Sequence, residues 1–251
     1  MCECLRQLQY RLFSNNIGIA LVLTLSSLKI EYSRKKNRKY FAIKRKMVRQ
    51  ILRELKRHIL FTTFGAITGI AMMIIIVLSH MLSRVSEVSP IIFYILHPTH
   101  VVLSAVVTTA IYKLYKPKCK ILMAVVIGYI GSVGIATLSD SIIPYLGELL
   151  LNLPNRGIHI GFIENPFITN PAAFLGIVIA LLRPNTKFPH SGHVLISTWA
   201  SLFHIIMAMG QTVNWIEITA IFLFLFFAVW IPCCLSDIVF PLLFVPLESK
   251  A

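Results

Sequence analysis

The sequence predicts an all-α fold, a polytopic transmembrane helical bundle with about six spanning helices. Apolar residues make up 57% of the 251 residues, well above the roughly 45–50% of soluble domains. Several windows of about twenty residues are almost free of charge, and about twenty helical residues cross a hydrocarbon core about 30 Å thick. A soluble core does not accommodate so much apolar surface, so we expect the lipid bilayer to surround the chain.

Candidate spanning helices follow one another from residue 59 to residue 245. They are Ile59–Leu82, Ile91–Tyr112, Ile121–Ile143, Phe167–Leu182, His193–Gly210 and Trp215–Val245. The apolar run Ile17–Leu28 is too short to span unaided and would be at most a short seventh helix. Prolines predict broken or re-entrant helices around 165–192 and 232–241, which membranes tolerate where protein or water covers the backbone. No internal repeat is evident, unless two His-x-x-His pairs mark one.

A polybasic segment precedes the first span. The net charge is +14, with 24 Lys and Arg against 10 Asp and Glu, and twelve of these basic residues lie between Arg34 and Arg57. We expect anionic lipid headgroups to bind this segment, at about 1 kcal/mol per basic residue near the surface. The residues expected to contact headgroups are Arg34, Lys35, Lys36, Arg38, Lys39, Lys44, Arg45 and Lys46. Nucleic acid is not an expected partner, because the segment carries no recognised binding motif.

Charge placement also predicts domain organisation and orientation. Residues 1–58 form an N-terminal segment and residues 59–251 the transmembrane domain. Basic residues crowd every second loop, with four lysines from Lys113 to Lys120 and then Arg183 and Lys187. By the positive-inside bias, the polybasic segment and the C-terminal end face the cytoplasm. We therefore expect a multi-pass protein of the cell (plasma) membrane, and the pattern leaves open whether it is a homo-oligomer.

Ionisable side chains inside the predicted spans are the candidate functional groups. Burying one in hydrocarbon costs a few kcal/mol unless it meets a partner, an ion or water. Imidazole and carboxylate groups together suit Zn²⁺ and other divalent transition metals. The predicted metal ligands are His97, His100, Asp140, His190, His193, His204 and Asp237. The orientation sorts them into an outer layer of His97, His100, Asp140 and His204 and an inner layer of His190, His193 and Asp237.

Hydroxyl and amide side chains extend the same helix faces. Most follow one another at spacings of three or four residues, which lie on one side of a helix. The fifth-span stripe, from His190 to Gln211, is about 31 Å long at 1.5 Å per residue, comparable to the hydrocarbon thickness. The predicted transport path consists of Ser104, Thr108, Ser197, Ser201 and Gln211.

Four functions fit these patterns. The first is a permease for a divalent metal cation or a proton-coupled solute. The second is a membrane-embedded, metal-dependent hydrolase acting on a lipid or peptide, which requires His and Asp from different helices to meet at one depth. The third is a haem protein with two histidine ligands, for example His100 and His204, and the fourth is a non-catalytic scaffold that uses its basic segment. The sequence lacks HExxH, GxSxG, P-loop and GxGxxG motifs, so it specifies no enzyme class.

Overall fold

The described part of the chain contains helices, turns and loops but no strands, which confirms the predicted all-α bundle. A computed structural model describes residues 58–184, 187–210 and 213–245 and seven residues before them, but not the side chains of 187–191. The seven are Arg38, Phe41, Arg45, Val48, Arg49, Leu52 and Lys56.

Contacts divide the chain into two units, Ile51–Pro246 and a second unit of Met1–Gln50 with Leu247–Ala251. In the second unit, Arg38 and Arg45 are helical and exposed. The other predicted headgroup contacts lie outside the described residues, as does the apolar run 17–28. The predicted headgroup contacts that are not described are Arg34, Lys35, Lys36, Lys39, Lys44 and Lys46.

Seven helices lie within residues 58–245. They are α1 His58–Leu78, α2 Leu82–Tyr115, α3 Ile121–Leu150, α4 Gly161–Glu164, α5 Pro166–Leu182, α6 Lys187–Ala208 and α7 Trp215–Leu243. By length and composition, α1, α2, α3 and α7 could each cross a membrane. The apolar helix α5 and the Gly192–Ala208 part of α6 are shorter. At 17 residues, α5 is about 26 Å long, slightly less than the hydrocarbon thickness.

The start of α2 differs from the prediction. The loop expected at 83–90 is helical, and the turn between α1 and α2 lies at 79–81, where His80 has a φ of 54°. Arg84 and Glu87 are exposed on a helix whose opposite face buries Leu82 and Ser89. Charged residues on one face therefore do not end this helix.

The predicted break at 232–241 is also wrong, because α7 continues through both prolines. A π-helical turn, Leu235–Val239, replaces the break. A similar turn, Leu138–Ile142, lies in α3 after a first one at Ile130–Gly134. Pro144 and Pro241 each follow an aspartate by four residues and lack the N–H that would bond to its carbonyl. This loss accounts for the local widening. Around 165–192, the helices are interrupted at Asn165 and between Leu182 and Lys187.

Helix α2 packs against most of the bundle. It runs antiparallel to α6, because His100 stacks on His193 while Phe93 contacts His204. Helix α5 approaches it closely, since a Cβ on Gly176 would clash with the carbonyl oxygen of Val102. Large apolar side chains project outward from the helices, among them Phe167, Leu182 and Ile216. The polar residues of α2, α3, α6 and α7 consequently face one another inside the bundle.

Candidate metal centre

Asp140 connects three helices at the middle of the bundle. Its Oδ2 lies 3.0 Å from His97 Nδ1 and 2.7 Å from His100 Nδ1. Its Oδ1 accepts hydrogen bonds from Ser139 Oγ at 2.8 Å and Ser197 Oγ at 2.6 Å. Four donors match the acceptor capacity of an ionised carboxylate. Both imidazoles are therefore assigned a proton on Nδ1, which leaves each Nε2 with a free lone pair.

The Nε2 lone pair of His100 faces a second histidine and a cysteine. His100 Nε2 lies 3.9 Å from Cys233 Sγ, and the His100 and His193 rings stack with centroids 5.7 Å apart. One potential ligand atom from each of these three residues lies within 4.8 Å of the other two. All three side chains are buried, with 1% exposure or less. Within the described residues, His100, His193 and Cys233 thus form a group that could hold a metal ion, and we call it the metal centre.

Asp237 contacts one ring nitrogen of His193, as Asp140 contacts one ring nitrogen of His100. His193 Nε2 lies 2.8 Å from Asp237 Oδ2, and His58 Nε2 lies 3.9 Å from the same oxygen. Metal-binding histidines usually donate their second ring nitrogen to a carboxylate, which fixes the tautomer and orients the ring. In this arrangement the two aspartates support the histidines, one behind each.

His204 belongs to a different group, near the loop that follows α3. Its Nδ1 lies 2.7 Å from the buried Glu148 Oε1, and its Nε2 accepts a hydrogen bond from the His159 backbone N–H at 3.4 Å. His159 Nδ1 in turn lies 3.5 Å from Glu164 Oε2, to which Tyr94 also donates. Burial, reinforced by the neighbouring His204, lowers the pKa of His159 below its ordinary value.

Phe93 separates the His204 group from the metal centre. Its ring stacks on His97 at 5.4 Å and meets His204 edge-on at 5.3 Å. His97 Nε2 is buried and has no hydrogen-bond partner among the described residues. A Cβ on Gly161 would lie 2.6 Å from this nitrogen, so backbone covers it closely.

The predicted path residues line the interior on both sides of the metal centre. Ser104 Oγ and Thr108 Oγ1 lie 3.4 Å and 3.3 Å from Ser236 Oγ. Ser197 Oγ lies 3.3 Å from Ser139 Oγ, and Ser201 Oγ donates to the Ser139 carbonyl at 3.0 Å. All six side chains are buried. Gln211 and the His190 side chain lie outside the described residues.

Sequence reasoning missed Cys233, Glu148 and His58. Cys233 precedes Asp237 by four residues and therefore shares its helix face, which was a usable signal. Glu148 follows Asp140 by eight residues, again close to one face of a helix. His58 gave no such signal, because it lies at the start of α1 beside the basic segment.

The geometry does not fit haem ligation by His100 and His204. His100 uses Nδ1 for Asp140 and turns Nε2 toward Cys233. Both nitrogens of His204 are engaged by Glu148 and the His159 backbone. The two rings belong to groups on opposite sides of Phe93, so they do not present facing nitrogens to one iron.

Comparison with known proteins found no match, whether against family models, curated proteins or solved structures. The function is therefore argued from the site and its surroundings.

Proposed function

We propose that this chain is a permease for a divalent transition-metal cation, which His100, His193 and Cys233 bind as it crosses the membrane. The observation that carries the proposal is the meeting of these side chains from α2, α6 and α7 at full burial, with ligand atoms within 4.8 Å of one another. The cation is the cargo in this account.

The ligand chemistry favours a transition metal over other cations. Imidazole nitrogen and thiolate sulfur suit zinc and its first-row neighbours, whereas Mg²⁺ and Ca²⁺ prefer oxygen ligands. A thiolate on Cys233 and carboxylates on Asp140 and Asp237 would offset the two positive charges of the cation. This compensation is needed because an unpaired charge inside hydrocarbon is costly.

Full enclosure favours transport of a small ion over hydrolysis of a large substrate. A lipid or peptide would need open space beside the metal, but His100, His193 and Cys233 are each at most 1% exposed. A bare cation needs only ligands and hydroxyl groups along its route. Buried serines and threonines supply such groups on both sides of the metal centre, and the enclosed arrangement fits a state closed to both sides.

A membrane-embedded hydrolase is the second candidate, and one observation favours it. His and Asp from different helices do meet at one depth around Asp140, as that function requires. Three protein ligands would leave the fourth position of a tetrahedral metal for water. The two candidates differ in whether metal crosses the membrane.

Metal content and metal uptake together test the proposal. We expect the purified protein to carry about one equivalent of zinc by mass spectrometry, and proteoliposomes containing it to take up zinc into a trapped fluorescent indicator. Cys233→Ser should abolish both signals, because it removes the sulfur ligand. Cys234→Ser is the matched control, since its neighbouring thiol lies outside the metal centre, and it should keep both.

Three outcomes would count against the permease. Absence of zinc from the folded wild type would exclude the metal centre, and zinc retained by Cys233→Ser would exclude this ligand set. Bound zinc without uptake would favour the hydrolase, which lipid and peptide hydrolysis assays on the same samples would then test.

A further inference from the structure

We infer that residues 97–144 and 190–241 are inverted repeats, and that the metal centre lies on the pseudo-two-fold axis between them. The sequence HPTHVVLSAVVT at 97–108 matches HSGHVLISTWAS at 190–201 in both histidines, one valine and one serine, and Thr108 matches Ser201. The sequence LSDSIIPYL at 138–146 matches LSDIVFPLL at 235–243 at five of nine positions. The two His-x-x-His pairs therefore mark an internal repeat, the one exception that the sequence analysis left open.

Local structure repeats with the sequence. Each Leu-Ser-Asp motif lies in a π-helical turn, Leu138–Ile142 in α3 and Leu235–Val239 in α7. Each aspartate contacts the second histidine of its own half, His100 to Asp140 at 2.7 Å and His193 to Asp237 at 2.8 Å.

Contacts between the halves repeat as well. Ser104 of the first half lies 3.4 Å from Ser236 of the second, and Ser197 of the second lies 3.3 Å from Ser139 of the first. These are the same two positions with the halves exchanged. Independent packing of four helices gives no reason for such reciprocal pairs, whereas a two-fold relation requires them.

The second half is inverted relative to the first. Helix α2 runs antiparallel to α6, as the His100–His193 and Phe93–His204 contacts require. Helix α3 runs antiparallel to α7, because Gly131 meets Phe240 while Gly147 meets Phe224. The relating axis therefore crosses the helices instead of following them. In transporters built this way, the substrate site lies at the interface of the repeats, and His100 stacked on its mate His193 is such a position.

Inversion places one hydroxyl cluster on each side of the metal centre. Ser104 and Thr108 lie about 6 and 12 Å from His100 toward the Tyr115 end of α2, and Ser197 and Ser201 lie equally far from His193 toward the Ala208 end of α6. We call them the Ser236 cluster (Ser104, Thr108, Ser236) and the Ser139 cluster (Ser139, Ser197, Ser201). In one conformation the Ser236 cluster would be open to one side of the membrane. In the conformation related to it by the pseudo-two-fold axis, the Ser139 cluster would be open to the other side. This alternating access rests on the proposed transport function.

Cys233 is the asymmetric member of the metal centre. The alignment that pairs Asp140 with Asp237 pairs Ala136 with Cys233. Their surroundings correspond, because Cys233 packs with Val194, and Ala136 packs with Val101, the mate of Val194. A thiol at position 136 should therefore approach His100 and His193 from the direction that the pseudo-two-fold axis relates to that of Cys233.

Transplanting the thiol tests the repeat. Zinc binding would be measured by mass spectrometry and by competition titration on the full-length, detergent-purified protein. Cys233→Ala should lose bound zinc, and the double variant Cys233→Ala/Ala136→Cys should recover it to within about tenfold of the wild-type affinity. Cys233→Ala/Ala173→Cys is the control, because Ala173 is buried in the same cluster as Ala136 but is not related to Cys233 by the pseudo-two-fold axis. This variant should not recover binding.

The outcomes separate the repeat from the function. Zinc retained by Cys233→Ala would overturn the metal centre and with it the proposed function. If Cys233→Ala loses zinc and the Cys233→Ala/Ala136→Cys variant keeps the wild-type melting temperature without recovering zinc, the two-fold relation alone would be overturned.

A second measurement applies even if the double variant does not fold. Ser236→Cys and Ser139→Cys, each in the full chain in sealed, oriented vesicles, would be treated with a membrane-impermeant thiol reagent. We expect labelling of the two positions from opposite sides of the membrane. Labelling from the same side, or from neither side, would overturn the alternating arrangement.

Discussion

At the scale of single residues, Asp140 sets the tautomer of the histidines. Its carboxylate accepts hydrogen bonds from the Nδ1–H groups assigned to His97 and His100, so His100 keeps a lone pair on the nitrogen that faces Cys233. Supporting carboxylates of this kind typically change metal affinity by about 10- to 100-fold when they are replaced. The residue therefore matters to the site without occupying a ligand position.

We predict that Asp140→Asn lowers zinc affinity by about 10- to 100-fold. An amide nitrogen at the Oδ2 position would donate hydrogen bonds to both imidazoles, so His100 would have to accept at Nδ1 and carry its proton on Nε2, where it blocks metal binding. Competition titration with a zinc chelator on the purified protein measures the change. Glu87→Gln, at an exposed position of helix α2, should leave the affinity unaltered. Equal affinities for wild type and Asp140→Asn would show that this carboxylate does not orient a ligand.

The sequence identified most of these residues but not how they meet. His97, His100, Asp140, His193 and Asp237 stand out because ionisable groups are rare in apolar helices. Spacing along one helix then shows which of them share a face. It does not show which faces meet. His100, expected in the outer layer, stacks on His193, expected in the inner layer, and His204 lies with Glu148 instead. Cysteine is an ordinary buried residue, so only the four-residue spacing from Asp237 could have singled out Cys233.

At the scale of elements, hydrophobic windows located α1, α2, α3, α5, α6 and α7, because a spanning helix needs its length in uncharged residues. They did not locate the four-residue α4. Helix ends and irregularities were harder to predict. The first turns of α2 carry exposed charged residues, so the hydrophobic window did not include them. The turns Leu138–Ile142 and Leu235–Val239 each accompany a proline placed four residues after an aspartate, and the same prolines also fit a broken helix.

Close helix packing gives a prediction at this scale. We expect Gly176→Ala to destabilise the protein by about 1–3 kcal/mol, the usual cost of overpacking. The new methyl group would clash with the Val102 carbonyl and lie 2.7 Å from the Ala105 Cβ, forcing α5 away from α2. Unfolding in mixed detergent micelles, followed by circular dichroism, gives the free energy of unfolding.

Gly134→Ala serves as the comparison for this change. A Cβ at Gly134 would meet nothing within 4 Å, so this variant should match or slightly exceed the wild type in stability. If both variants lost the same stability, the cost would come from altering a membrane-helix glycine in general, and the close α2–α5 contact would not explain it.

At the scale of the whole molecule, the inverted repeat accounts for features that single helices do not explain. It explains why two π-helical turns carry the same Leu-Ser-Asp motif and why hydroxyl pairs recur on both sides of one site. The repeat was hard to see in the sequence because its halves agree mainly at buried polar positions. Lipid-facing positions need only remain apolar, so they differ freely between the halves.

Because His100, His193 and Cys233 lie on three separate helices, a metal ion bound among them should stabilise the whole bundle. At a free zinc concentration about 100 times the dissociation constant, binding to the folded state alone contributes about 2.7 kcal/mol. We therefore predict that zinc raises the melting temperature of the purified wild type by several degrees and that a chelator reverses the rise. Cys233→Ser should show no rise, whereas Cys234→Ser should respond like the wild type. An equal rise in Cys233→Ser would place the stabilising zinc elsewhere. A wild type that binds one equivalent without any rise would mean that the three helices do not close around the ion together.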